Sequence, residues 1–406
     1  MYLEKNDKIQ TYLAIVTSQI KWNEVHGQVK SELLSHFEEV VLELEDSGLS
    51  QQEAVAKAIA RMGDANDLGR QFQQTHVPQK NWPLVATVTL LSGLGITLMY
   101  MLESSGLLTP SLHIFMRSLI FTGLGVAVLL WLHYCDFRKV RPYTTYLYAG
   151  TMMLWLVSLL WGTSIEGKQF LTLGPVSIDS TGIIPYLLTI SLAGLFTNRD
   201  WSNWQWVVKS VLLLLVPLLF CIESNNIALA LMCTLIFLVL MAIAGAKKMQ
   251  IIGFALIPIG MLLIKMYQDL GIFRLDYLQS ANLWGHGELR VEAITGAHTD
   301  YVFRYFIQEF GWLAGIAVIM AGVVLLVVLI HSMLEIKDRF GRLTVGGLTV
   351  CFAVQISWHI LMSLGLMPVI SMNLPFISFG GTQTIIHLGS IGAILSIYKR
   401  KNLQSM

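Results

Sequence analysis

Long apolar runs separated by short polar intervals fill the chain after Trp82. Ten such runs can be counted, and most approach the length of about 20 residues that crosses a bilayer as a helix. They lie near residues 83–102, 112–133, 144–162, 183–197, 206–222, 226–245, 250–267, 304–331, 343–367 and 380–398. This pattern predicts an all-α, polytopic membrane protein with about ten transmembrane helices, formed by residues 81–406.

The composition supports the membrane class and excludes several others. Hydrophobic residues make up 54% of the chain and charged residues 13%, whereas a soluble domain carries about 25% charged residues. The four cysteines stand singly, so we expect small apolar fillers rather than disulfides or a metal site. The first residues lack a basic-then-apolar run, so a cleavable signal peptide is not expected. Membrane lipids are expected neighbours, and no nucleic-acid partner is expected.

Basic residues collect after the even-numbered runs. They are Arg138, Lys139, Arg141, Arg199, Lys247, Lys248, Lys337, Arg339, Arg342, Lys399, Arg400 and Lys401. Loops rich in Lys and Arg stay on the cytoplasmic side of a membrane. The sorting therefore predicts a multi-pass protein of the cytoplasmic membrane with both termini in the cytoplasm. The polar interval 268–303 then faces outward.

Residues 1–80 differ from the rest and predict a small cytoplasmic helical domain. An apolar stripe at helical spacing begins at Val25 and ends near Gly48, a residue that stops helices. A capping box at Ser50 and Glu53 then starts a second helix, and Asp64 caps a third. The pattern Glu-Leu-…-His-Phe-…-Gly-Leu-Ser-…-Glu-Ala-…-Met-Gly-Asp resembles a helical prefix domain found ahead of bacterial membrane permeases and regulators. The stripe can close the module's own core or bind a partner, and its own core is the favoured interpretation.

Four ionisable residues stand in 296–311, the stretch that leads into the eighth run. They are His298, Asp300, Arg304 and Glu309. Ionisable groups beside hydrocarbon are functional candidates by default. A structural alternative is that Asp300 stabilises the start of a helix and pairs with an exposed Arg304 four residues on.

A second outward segment, 365–382, carries residues that break helices. Pro368, Pro375 and the Gly380-Gly381 pair interrupt any regular helix there. Irregular backbone at membrane depth survives only where protein or water satisfies its polar groups. We therefore expect a re-entrant or cavity-lining segment.

These two segments together resemble signatures of the SEDS family, which includes RodA, FtsW and SpoVE. The matching stretches are His-Thr-Asp-Tyr-Val-Phe at 298–303, Gly-Leu-Met-Pro-Val at 365–369 and Leu-Pro-Phe-Ile-Ser-Phe-Gly-Gly-Thr at 374–382. The resemblance covers roughly residues 83–398, with the same number of spans and the same orientation.

The resemblance implies a peptidoglycan glycosyltransferase that polymerises lipid II on the outer face of the cytoplasmic membrane, in cell elongation, division or sporulation. It places the catalytic carboxylate at Asp300. An inverting sugar transfer needs a base for the acceptor hydroxyl and neutralisation of the leaving pyrophosphate, and a divalent cation (Mg or Mn) is one expected source of positive charge. The candidate substrate-binding residues are His298, Thr299, Arg304, Glu309, Pro368, Pro375, Ser378, Gly380 and Gly381.

The chain departs from the family pattern at several positions. Thr295-Gly296 stand where active members usually carry Pro-Glu. A Glu and a Lys near the fourth span are replaced by Gly182 and Pro185, and His359 stands at the position of an Asn. The Glu–Lys pair is thus lost as a unit. The alternative function is therefore a catalytically degenerate homologue that binds the lipid precursor or acts as a scaffold or regulator.

The resemblance also implies partners. SEDS polymerases lack a crosslinking serine, and this chain shows no Ser-x-x-Lys motif in a suitable soluble domain. The loops are too short to hold such a domain. We expect a single-pass class B penicillin-binding protein as the transpeptidase partner, and a cytoplasmic regulator that engages residues 1–80.

Overall fold

The protein is described by a computed structural model for residues 3, 6–75, 77–105, 113–165, 168–174, 176–224, 226–256, 260, 283–284, 298–367 and 372–402. The chain divides into two compact units, Met1–Gln79 and Lys80–Met406.

The described residues of the first unit form four α-helices and a short 3-10 helix at Asn23–Val25. The α-helices are α1 (Asp7–Ser18), α2 (His26–Asp46), α3 (Gln51–Met62) and α4 (Ala65–Thr75). The apolar stripe of α2 is buried, with Phe37 and Val29 at 0% exposure. Helix α1, which the sequence analysis did not foresee, adds Ile9, Leu13 and Val16 to the same core. The stripe therefore closes the module's own core, as the favoured interpretation predicted.

The predicted caps of this unit are confirmed. Ser50 and Glu53 form a capping box at the start of α3. The Oδ1 atom of Asp64 accepts hydrogen bonds from the backbone N–H groups of Asn66 (2.8 Å) and Asp67 (3.1 Å) at the start of α4. Gly48 follows α2 with a φ of 92°, a conformation in which glycine avoids the steric cost of a side chain. Local sequence thus sets the helix boundaries here.

The second unit is a helical bundle. Its helices are α5 (Trp82–Ser104), α6 (Ile114–Tyr134), α7 (Thr144–Trp161), α8 (Ser180–Phe196), α9 (Trp204–Glu223), α10 (Ile227–Ile243), α11 (helical over 248–256), α12 (Val302–Glu335), α13 (Arg339–Ser363) and α14 (Gly381–Lys399). Within the described residues, five helices are long and apolar enough to cross a membrane: α5, α6, α9, α12 and α13. Helices α8 and α10 are shorter and apolar. The all-α, polytopic membrane class is confirmed, and most of the seventh predicted run lies outside the described residues.

A small antiparallel sheet joins α7 to α8 and was not predicted. Its strands are β1 (Thr163–Ile165), β2 (Lys168–Leu173) and β3 (Val176–Asp179), in the order β1-β2-β3. Phe170 of β2 lies opposite Asp179 of β3. Short alternating runs flanking Gly174-Pro175 are a hairpin signal that could have revealed it.

Irregular backbone occurs in both segments that the sequence singled out. Helix α12 is broken at Gly311, whose φ of 84° and ψ of 175° are not helical, so a glycine is needed at the kink. Between Ser363 and Gly381, the described residues 372–380 form turns rather than a helix, as predicted. Phe376 has a φ of 67° in this segment, and strained backbone of this kind gathers at functional sites. Pro368 lies outside the described residues.

Candidate active site

The two predicted segments meet through backbone contacts. The N–H of Phe379 donates to the carbonyl oxygen of His298 at 2.8 Å. The hydroxyl of Ser378 donates to the carbonyl oxygen of Thr299 at 2.9 Å, and accepts from the N–H of Leu374. His298, Thr299 and Ser378 therefore hold the two segments together beside Asp300.

Asp300 forms a buried ion pair with Lys168. Its Oδ1 atom lies 3.8 Å from the Lys168 Nζ atom, and the two side chains are 9% and 10% exposed. Lys168 is the first residue of β2, so the unpredicted sheet delivers the cation to the carboxylate. The sequence motifs had not singled out Lys168.

Asn373 fixes the position of Lys168. Its Oδ1 atom accepts a 2.7 Å hydrogen bond from the Lys168 ammonium group, and its Nδ2 atom donates to the carbonyl oxygen of Phe379 at 3.0 Å. The Asn373 amide passes so close to Gly380 that a Cβ atom there would lie 2.3 Å from Nδ2. At Gly381 a Cβ atom would lie 2.7 Å from the ring of Phe121. Close packing thus accounts for both glycines, and their role in substrate binding stays a prediction.

The structural alternative for Asp300 assumed an exposed Arg304, and that assumption is wrong. Arg304 is 6% exposed, and its guanidinium group lies 6.0 Å from the centre of the Tyr301 ring. Helix α12 has Tyr301 at its N-cap, with no side-chain cap hydrogen bond. Glu309 is partly buried, two residues before the Gly311 kink.

Two histidines bring imidazole groups to the site: His298, which is partly buried, and His359, which is buried. Burial lowers the pKa of His298 below its ordinary value, although the nearby Asp300 charge opposes the shift. His298 is therefore neutral near pH 7. On α13, the Nδ1 atom of His359 lies 2.7 Å from the carbonyl oxygen of Met372. His298 Nδ1 and His359 Nε2 are buried without a hydrogen-bond partner in the described part of the chain.

Charged side chains of the sheet lie near Gly182 and Pro185, the α8 positions at which the family pattern has charges. Asp179, the last residue of β3, accepts from the N–H of Gly182 at 3.0 Å through Oδ1 and from the Gln383 Nε2 atom at 2.8 Å through Oδ2. A Cβ atom at Gly182 would lie 3.0 Å from Asp179 Oδ2 and 2.9 Å from Gln383. A carboxylate therefore lies beside position 182 although Glu is absent. Lys168 likewise provides a cation although position 185 is Pro.

A divalent cation fits the described side chains poorly. No group of three or more His, Cys, Asp or Glu side chains converges among the residues that the structure describes. The carboxylate of Asp300 is already beside the Lys168 ammonium group, whereas Mg²⁺ and Mn²⁺ favour sets of oxygen ligands.

The fold and these contacts can be compared with known proteins. The FtsW/RodA/SpoVE family, described as cell cycle proteins, matches residues 80–282 and 279–403. This match spans most of the chain. The chain belongs to the FtsW/RodA/SpoVE family. The resemblance stated from the motifs is thereby confirmed.

Individual members of the FtsW/RodA/SpoVE family are distant in sequence but similar in fold. The probable peptidoglycan glycosyltransferase FtsW of Aliivibrio salmonicida is 22% identical over 319 residues, which cover 70% of this chain and 80% of that protein. The crystal structure of the rod shape determining protein RodA of Thermus thermophilus matches with a TM-score of 0.64 and 21% identity, covering 80% of this chain and 98% of RodA. A chain from a structure on the coordination of polymerization and crosslinking by a peptidoglycan synthase complex matches with a TM-score of 0.67 and 21% identity, over 79% of this chain and 98% of that one.

Proposed function

We propose that the protein is a peptidoglycan glycosyltransferase that polymerises lipid II, with Asp300 as the catalytic carboxylate. The observation that carries the proposal is the buried Asp300–Lys168 pair, held where the two family segments join. A buried charge at a membrane boundary is expensive to keep and is functional by default. Relatives named as peptidoglycan glycosyltransferases support the reaction class.

The proposed chemistry is a single displacement at a sugar carbon. The acceptor hydroxyl attacks the anomeric carbon of the donor, a new C–O bond forms, and the bond to the lipid pyrophosphate breaks with inversion. Asp300 takes the proton of the attacking hydroxyl. Lys168 and the buried Arg304 are the described cations suited to the negative charge that develops on the leaving pyrophosphate.

The substrate faces the outer side of the membrane in this proposal. The end of the bundle that carries the sheet is then outward, and both termini are cytoplasmic. The test is labelling of Ser177→Cys in β3 and Lys139→Cys after α6, both exposed positions, in a Cys135→Ser background. Position 177 should react from outside and position 139 only after permeabilisation. The reverse labelling pattern would contradict the orientation.

Asp300→Asn is the test of the reaction. It should lower lipid II polymerisation by about 10²- to 10⁴-fold, because it removes the base but keeps the shape of the side chain. The assay is gel detection of glycan strands made by the purified full chain in lipid nanodiscs. The matched control is Asp200→Asn, an exposed carboxylate in the α8–α9 connection, which should keep full activity.

The same preparation tests the alternative function, a catalytically degenerate homologue that binds the lipid precursor or acts as a scaffold. A wild-type chain that binds lipid II and makes no polymer with any partner supports a binding or scaffolding role. Full polymerase activity in Asp300→Asn would instead keep the enzyme and reject Asp300 as the base.

We also propose two partners. A class B penicillin-binding protein supplies crosslinking, by analogy with the similar chain in the peptidoglycan synthase complex. The helical module Met1–Gln79 engages a cytoplasmic regulator. Deleting residues 1–79 should leave polymerisation by the remaining unit intact and change its localisation or control in cells. Loss of catalysis in a folded, purified deletion variant would contradict this division.

A further inference from the structure

A partly open pocket lies beside the Asp300–Lys168 pair. Its polar lining includes Lys168 of β2, Thr181 of α8, Asn226 before α10, Gln355 of α13 and Gln383 of α14, and Met232 and Met372 add apolar surface. The cavity volume is about 30 Å³, so the pocket is small. Since Lys168 also contacts Asp300 at 3.8 Å, a group bound in this pocket would lie next to the proposed base.

Gln383 presents a hydrogen-bond acceptor without a partner. The side chain is 6% exposed, and its Nε2 atom donates to a carboxylate oxygen of Asp179 at 2.8 Å. Because a carboxylate oxygen accepts hydrogen bonds, this contact fixes which end of the amide is nitrogen. The remaining atom, Oε1, is buried and has no partner among the described residues. Such an atom costs free energy unless a donor reaches it.

Gln355 presents hydrogen-bond donors to the pocket. Its Oε1 atom receives the hydroxyl of Tyr186 at 2.9 Å and contacts the Nε2 atom of His387 at 3.1 Å. All three side chains are buried, so this network holds the amide plane in place. The Nε2 group of Gln355 donates to none of the residues that the structure describes, and it leaves two N–H donors for a ligand.

A fixed donor and a fixed acceptor in one small pocket complement a secondary amide, which carries one C=O and one N–H. We propose that Gln355 and Gln383 form a subsite for a secondary amide of the substrate, with the ligand C=O on Gln355 and the ligand N–H on Gln383. This inference rests on the proposed function, since lipid II offers two such sources: the acetamido groups of its sugars and the amides of its stem peptide.

The decisive variant is Gln355→Glu. A glutamate keeps the acceptor oxygens that Tyr186 and His387 need, and it loses the two N–H donors. The matched control is Gln250→Glu, which introduces the same charge at a partly buried glutamine near Trp201, far along the chain from the pocket. Full-length protein in nanodiscs is titrated with three probes: lipid II, lipid II with its sugar acetamido groups replaced by hydroxyl groups, and lipid II without the stem peptide.

The expected result is that Gln355→Glu weakens binding of lipid II at least about tenfold, the loss expected for a buried hydrogen bond of about 1.4 kcal/mol. The probe that lacks the recognised amide should bind wild type and Gln355→Glu equally. If wild type and Gln355→Glu bind the probe without acetamido groups equally, the recognised amide is on the sugar. If they bind the probe without the stem peptide equally, the recognised amide is in the stem. Equal weakening of all three probes, or none, would overturn the subsite.

A second variant and a binding readout keep the proposal testable. If Gln355→Glu does not fold, Gln383→Met removes the acceptor side of the subsite and is titrated with the same probes. Because the readout is binding, the subsite is tested separately from catalysis. A wild-type protein that binds lipid II more tightly than the probe without the recognised amide, but makes no polymer, would reject the proposed reaction and keep the subsite.

Discussion

Two buried cations lie near opposite ends of α14 and are held in contrasting ways. Helix α14 spans Gly381–Lys399, which at about 1.5 Å per residue approaches the thickness of a bilayer core. Arg400 follows its last turn. Lys168 lies near its first turn, bonded to Asn373 beside Gly380.

Arg400 is held by several fixed acceptors. It is 1% exposed, and its Nη1 atom donates to the carbonyl oxygens of Cys135 (3.2 Å) and Ser396 (3.1 Å) and to the Ser396 hydroxyl (2.9 Å). Its Nε atom lies 3.8 Å from Asp136. Burial would raise the pKa of Asp136, but Arg138 and Arg400 hold it below its ordinary value.

Lys168 has one short hydrogen bond, to Asn373, and a looser contact with Asp300. Around it lie buried polar atoms without partners among the described residues, such as Gln383 Oε1 and His359 Nε2. Buried polar groups in folded proteins are normally satisfied. The contrast teaches that Arg400 is fixed by several acceptors, whereas Lys168 has a single short hydrogen bond and lies beside buried polar atoms that remain available to a ligand.

The largest expected effect on stability is at Arg400. Arg400→Met removes the hydrogen bonds to Cys135 and Ser396 and one of the cations beside Asp136, so the free energy of unfolding should fall by about 3 kcal/mol. Polymerisation per folded molecule should not change. Tryptophan fluorescence during denaturation in detergent measures the first quantity, and Lys139→Met, an exposed lysine at the same end, is the control. An Arg400→Met variant that is stable but inactive would contradict the assignment of Arg400 to stability rather than activity.

Lys168→Met should affect polymerisation more than stability, the reverse of Arg400→Met. Loss of the cation beside Asp300 should lower the polymerisation rate by about 10²-fold, a typical cost of removing one electrostatic stabiliser. The change in unfolding free energy should be smaller than for Arg400→Met. The double variant with Asp300→Asn should be slower than Asp300→Asn alone, because Asp300 takes the proton of the acceptor and Lys168 faces the leaving pyrophosphate. A double variant no slower than Asp300→Asn would show that Lys168 acts only through Asp300.

Much of the fold could be predicted because its signals are local. Apolar runs, helix caps at Ser50 and Asp64, and the helix-breaking residues around Pro375 all act within a few positions of the chain. Asp300 and Ser378 could be singled out from motifs for the same reason. The hairpin that carries Lys168 also had a local signal, in its alternating residues around Gly174.

The assembly of the site could not be predicted from the sequence alone. Lys168 and Asn373 are 205 positions apart in the chain, and their contact depends on how the sheet packs on the segment before α14. The compensation at Gly182 is of the same kind, since Asp179 and Gln383 fill the space that a glutamate side chain would need. Reading position 182 alone suggests a lost carboxylate, whereas packing places one beside it.

Gly380→Ala sharpens the comparison at the Lys168 end. The added Cβ atom would lie 2.3 Å from Asn373 Nδ2, so the Asn373 amide must move and the 2.7 Å bond to Lys168 must weaken. We expect overpacking to cost about 1–3 kcal/mol and polymerisation to slow about tenfold. Gly93→Ala in α5, where nothing lies within 4 Å of the new Cβ atom, should keep activity. Equal activity of the two variants would mean that Asn373 does not position Lys168.

The smallest effect is expected at Lys401, next to Arg400. Its ammonium group lies 2.6 Å from a carboxylate oxygen of Glu335, a shorter contact than any Arg400 makes with Asp136, but the side chains are 14% and 31% exposed. Because solvent weakens a partly exposed ion pair, Lys401→Met should lower the unfolding free energy by less than about 1 kcal/mol. A double-mutant cycle with Glu335→Gln measures the pair energy, which should shrink further at high salt. A loss as large as that of Arg400→Met would show that contact distance, rather than burial and the number of acceptors, sets stability at this end of the bundle.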